Sequence, residues 1–114
     1  MSATQPAISG YHIHVYFDAG TREPAARVRE AVAKAFPAAQ IGRWHEQPVG
    51  PHPMWSYQVA FGADLFGVLV PWMLLNREGL TVLVHPRTGD EIADHRDFPF
   101  WLGTPQVLDL SKLS

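Results

Sequence analysis

The sequence predicts an α+β domain of the ferredoxin-like, split βαβ kind: an antiparallel sheet with two helices on one face. Two observations predict it. Stretches of alternating, branched and aromatic residues read as strands, and two segments with helical composition lie between them. Their order is strand, helix, strand, then strand, helix, strand. In that arrangement the first strand is central, with the third and fourth beside it. The far face of the sheet is left bare, and the expected closure is a partner subunit, giving a dimeric α+β barrel.

The first strand is Tyr11–Phe17, YHIHVYF. Side chains on a strand alternate between faces. Ile13, Val15 and Phe17 therefore share an apolar face, and His12, His14 and Tyr16 share the other. Before it, residues 1–9 are small and polar and read as a flexible leader to a single domain over 10–114. Asp18–Thr21 turns the chain into a helix from Arg22 to Phe36, with Asp18 or Thr21 as cap and Pro24 in the first turn. Its stripe is Ala25, Val28, Val32, Ala35 and Phe36, and Pro37 ends it.

A second strand is expected over Gln40–Glu46, then a rigid, proline-rich loop, Gln47–Pro53, in which His52 stands between two prolines. The third strand is Met54–Phe61, with Trp55, Tyr57, Val59 and Phe61 toward the core. Asp64 is the expected cap of a second helix, Leu65–Asn76, apolar nearly all round and kinked or split at Pro71. Leu80–His85 is the fourth strand. Pro86–Asp90 is a turn, Asp94–Gly103 an irregular tail, and Val107–Leu110 a short edge strand.

The strand parities converge on one point. Val82 and Val84 suit the helix side, which leaves Thr81, Leu83 and His85 on the bare face. His52, extended into the third strand, shares parity with Ser56 and Gln58 on that same face. His12, His14, His52 and His85 thus gather from three neighbouring strands. Three neutral imidazoles meeting at a point suit Fe(II), Zn, Cu or Ni. Glu46, Asp94 and Asp97 are the carboxylates that would complete a mixed site, although none shares the histidines' parity. A lone histidine is ordinarily surface or core filler, and it is the set that points to a site. His45, on the second strand, is expected to be exposed or near the rim.

Composition narrows the function classes. Nine basic and eleven acidic residues give a net charge of −2 without a basic run, which argues against a nucleic-acid partner. There is no cysteine, which removes disulfides, thiolate ligands and cysteine nucleophiles and fits the cytoplasm. The opening MSATQPAISG has neither a basic region nor an apolar core, so no signal peptide is expected. The apolar run Leu65–Leu75 is too short to span a bilayer.

YHIHVYF, RWHEQPVGPHP (Arg43–Pro53), VPWMLLNR (Val70–Arg77), TVLVHP (Thr81–Pro86) and DHRDFPFWLG (Asp94–Gly103) together resemble the DOPA 4,5-dioxygenase family of small fungal and bacterial proteins. The resemblance covers about residues 10–103. It implies extradiol opening of a catechol such as DOPA with O2 at a non-haem Fe(II), with Zn or another divalent metal able to take its place, and a ferredoxin-like homodimer. Combined with parity, it gives His14, His52 and His85 as metal ligands and His12 and His95 as acid–base groups. The competing readings are a metal- or small-ligand-binding dimer without turnover and a cofactor-independent oxygenase.

Overall fold

The structure, a computed structural model, describes residues 5–114. Five strands form one sheet: β1 (Gly10–Phe17), β2 (Gln40–Ile41), β3 (Trp55–Phe61), β4 (Val82–Arg87) and β5 (Phe100–Leu102). They lie in the order β2-β3-β1-β4-β5, every neighbouring pair antiparallel. The first four strands have the ferredoxin-like arrangement expected from sequence, and β5 extends the β4 edge. Three helices accompany them: α1 (Arg22–Ala35), α2 (Ala63–Asn76) and α3 (Glu91–Arg96).

Alternation along β1 divides the molecule. Ile13, Val15 and Phe17 join Tyr57, Val59 and Phe61 of β3 and Val82 and Val84 of β4 in the core. Ala25, Val28 and Val32 of α1 and Leu69 and Met73 of α2 close over them. Removal of this apolar surface from water is the main stabilising contribution. Tyr57 is buried there because its hydroxyl donates to the Ala25 carbonyl oxygen at 3.0 Å.

Several expected elements differ. The second strand stops at Ile41, leaving only an isolated bridge between His45 and Ser56 further along. Trp44 packs against Phe17 and Tyr57, so the chain bends toward the core where a regular strand would continue. Pro71 does not split α2, which runs unbroken. Gly67, the residue whose carbonyl a proline four positions on would crowd, is exposed, so the lost hydrogen bond faces solvent. The cap of α2 is Gly62, and Asp64 lies in the first turn, where its charge suits the helix dipole. The fourth strand begins at Val82 and continues through Pro86 to Arg87.

The largest departure is at the C-terminal end. Asp94–Gly103 is not irregular: it contains the end of α3, capped by Asp90, and the whole of β5. Val107–Leu110 forms no strand, and Leu110–Lys112 is a short 3-10 turn. Of the leader, residues 5–9 are exposed, with Ser9 donating its backbone N–H to the Arg87 carbonyl oxygen at 2.9 Å, while residues 1–4 lie outside the described ones. Among the described residues no helix is long and apolar enough to cross a membrane.

Candidate metal centre

The register of β1 with β4 sets His12 opposite His85 and His14 opposite Leu83. With β3, His14 faces Gln58 and Tyr16 faces Ser56. These pairings bring the even-numbered side chains of β1 onto the face away from α1 and α2. His14, His85, Tyr16 and Ser56 are all buried there. What buries them is this chain itself. The loop after β2 brings in His52, α3 brings in His95, and Leu113 of the C-terminal segment joins the wall. A backbone bond from Asp109 N–H to the Pro51 carbonyl oxygen, 2.9 Å, ties that segment to the loop.

Five histidines meet on this face. In two groups of three, one ring nitrogen from each residue lies within 4.8 Å of the others: His12, His14 and His85, and His14, His52 and His95. His14 belongs to both. The set His14, His52 and His85 expected from sequence is divided between them. His12 and His95, expected as acid–base groups, each complete a group of three. His52 reaches the cluster although its loop enters near Tyr16, its ring centroid lying 4.1 Å from that of His14. His95 is 4.1 Å from His85 by the same measure.

Hydrogen bonds fix which nitrogens face inward. A carbonyl oxygen only accepts, so His85 carries its proton on Nδ1, which donates to the Pro86 oxygen at 2.8 Å. His95 likewise donates from Nδ1 to the Glu91 oxygen at 2.7 Å. In both, Nε2 is the unprotonated nitrogen. His85 Nε2 lies 3.0 Å from His14 Nε2, and it accepts the proton that His14 carries there. His52 Nδ1 is 2.6 Å from the Tyr16 hydroxyl, in a buried pair. If Nδ1–H donates to that oxygen, Nε2 of His52 is also a lone pair. This is the arrangement in which ligating histidines are held elsewhere, one nitrogen on an acceptor and the other on the metal.

The electrostatics favour neutral imidazoles. Burial, reinforced by the neighbouring rings, pushes His52 down to about 3. Burial lowers His12 to about 4, with His85 and Arg87 adding to the effect. His85 also falls to about 4, chiefly by burial, against the opposing hydrogen bond to Pro86. His14 is held well below its usual value for the same leading reason. Burial raises the Tyr16 phenol, which keeps it protonated beside His52. Neutral imidazoles, each with one unprotonated nitrogen, fit a divalent transition metal.

The carboxylates flagged in the sequence are engaged elsewhere. Glu46 holds Arg22 and the Trp44 indole, and Asp97 holds Arg96. Asp94 is buried, but its two oxygens accept from the Thr88 hydroxyl at 2.5 Å and the Thr88 N–H at 3.0 Å. It thus anchors the helix that carries His95. His45, half-buried, is part of the cavity lining.

Fold and site together define a class: a small ferredoxin-like domain whose sheet gathers imidazoles able to hold a metal. Within that class, the chain belongs to the Dopa 4,5-dioxygenase family, whose model matches residues 11–112. It is 33% identical over 114 residues to the DOPA 4,5-dioxygenase of Amanita muscaria, covering 93% of this chain and 50% of that protein. It is 36% identical over 123 residues to an uncharacterized 21.2 kDa protein of Botryotinia fuckeliana, covering 95% of this chain and 67% of the other. The chain therefore spans one half and two thirds of the lengths of these two relatives. A crystal structure from Nostoc punctiforme, described as a "putative dioxygenase", superposes with a TM-score of 0.90 at 51% identity, covering 92% of this chain and 90% of that one. Membership and the relatives' names point to a dioxygenase.

Proposed function

We propose that this protein opens the ring of a catechol such as DOPA, in the extradiol manner, with O2 and a divalent metal, Fe(II) in the active form. The observation that carries the reading is the meeting of five imidazoles on one sheet face in a chain of this family. The metal is assigned to His14, His52 and His95. His95 Nε2 is a lone pair by its bond to Glu91, and His52 Nε2 becomes one when Tyr16 accepts from Nδ1. When bound, Fe(II) would bring the two catechol oxygens and O2 to one centre and stabilise the charge that develops as they react.

The chain's own residues do the remaining work. His12 is part-exposed and lines the cavity, so it is placed to take a proton from a catechol hydroxyl. It returns that proton as the ring bond beside the hydroxyl-bearing carbon breaks and both oxygen atoms enter the product. His85, with Nε2 3.0 Å from His14 Nε2, keeps that ring in place. Val49, Pro51 and Leu113 add apolar surface to the cavity wall.

Exposed Val68, Leu74 and Leu75 on α2 support the homodimer as part of this reading by offering apolar surface to a second copy. The test is anaerobic reconstitution with Fe(II), then addition of DOPA and O2. A yellow ring-opened product with matching oxygen uptake is expected. Tight metal binding without product would instead favour a binding protein, and product without metal a cofactor-independent oxygenase.

A further inference from the structure

A second cavity, about 280 Å³, adjoins the histidine cluster and shares His12, Glu91 and His95 with the first. Ser9, His85, Arg87, Gly89 and Asp94 complete its lining. Arg87 stands two residues beyond His85 on β4, so its side chain starts from the same face. Its register partner on β1 is Gly10, which has no side chain to crowd it. It lines this cavity together with His12 and His85.

Two opposite charges in this cavity are unspent. Among the described residues, neither the Arg87 guanidinium nor the Glu91 carboxylate enters a side-chain hydrogen bond or an ion pair. Arg22, Arg27 and Arg96 are by contrast each paired with a carboxylate. The third charge on the lining, Asp94, is occupied by Thr88. An anion alone would meet Glu91 and Asp94 as well as Arg87, and a cation alone would meet Arg87. A zwitterion matches both free groups.

We propose that Arg87 and Glu91 form a subsite for an α-amino-acid side chain. Arg87 receives the carboxylate in a bidentate fork and Glu91 the ammonium, while the catechol ring lies on the histidines. The inference rests on the catechol reading above and adds to it the residues that select among catechols.

Anaerobic isothermal titration calorimetry on the zinc-loaded protein tests it with four probes. DOPA carries both charges, dihydrocaffeate the carboxylate, dopamine the ammonium, and methylcatechol neither. Arg87→Gln is expected to weaken DOPA and dihydrocaffeate about tenfold or more relative to methylcatechol, as loss of a charge-assisted bond should. Glu91→Gln is expected to weaken DOPA and dopamine in the same way. Both side chains are exposed, and an unchanged thermal midpoint in each variant checks that the fold is intact. If wild type and variants rank the four probes alike, the subsite is wrong and the catechol reading stands. A wild-type protein that binds none of the four overturns both.

Discussion

The two faces of one sheet are built from alternate residues of the same three central strands, yet they do different work. On the helix side, Ile13, Val15, Tyr57, Val59, Val82 and Val84 are sealed under α1 and α2. On the other, His14, Tyr16, Ser56 and His85 are also buried, but under loops, a short helix and the chain's end. Burial alone therefore does not separate core from site. The difference lies in what burial costs. Apolar groups gain by it, whereas each imidazole must be kept neutral and hydrogen-bonded, which the carbonyls of Pro86 and Glu91 and the Tyr16 hydroxyl provide. The helix face holds the fold together, and the histidine face is the part it makes possible.

Substitutions on each face sharpen that contrast. The largest effect is expected at His14, the residue common to both groups of three. His14→Ala should abolish stoichiometric metal binding, measured by metal analysis after dialysis. His95→Ala should lose more metal than His85→Ala, and the reverse order would move the ion to the group containing His12. On the opposite face, Ile13→Ala should destabilise by about 2–5 kcal/mol in denaturant unfolding, the cost of a large-to-small change in a packed core. Its metal stoichiometry in the folded state should not change.

Acid probes the histidine face selectively. The folded-state values of His12, His52 and His85 lie below the ordinary 6.5, so the unfolded chain binds more protons. Stability of the metal-free protein is then complete above pH 6.5 and falls as pH drops toward about 4 and 3, where these groups charge even when folded. Urea midpoints across that range check the sign. Flat midpoints would mean that the rings are more solvated than the geometry shows. The smallest effect is expected from Tyr16→Phe, which keeps the ring and removes the partner of His52 Nδ1. Metal affinity should fall about 10–100-fold, as for the loss of other groups that orient a ligand, and leaving His52 Nδ1 without a partner should cost about 1–3 kcal/mol of stability. Calorimetric titration with zinc measures it.

What could be read from the sequence followed the period of the strands. The alternation of YHIHVYF placed His12, His14 and Tyr16 on one face and the core residues on the other, and it did so without knowledge of partners. His85 followed from the same parity. His95 could not, because six residues of helix and three of strand are too short for a periodic signal, and DHRDFPFWLG looks like a coil. A sequence signal was nonetheless present in Asp90, which accepts from Ala93 N–H as an N-cap does. The role of Tyr16 toward His52 depends on the path of a loop fixed by Pro51 and Pro53, which no local rule supplies. The wall over the histidines depends likewise on contacts across the length of the chain, such as Asp109 with Pro51.

The shortness of α3 has a further consequence. Helices below roughly 12–15 residues are marginal in isolation, so this one owes its order to its neighbours, above all to the grip of Asp94 on Thr88. The imidazole it carries is thereby mounted on a short segment whose order depends on those contacts. An ion held by His95 would stitch that piece to the rigid central strand. Its capture and the settling of the segment would then be one thermodynamic event, visible as slowed amide exchange from Glu91 to Asp97.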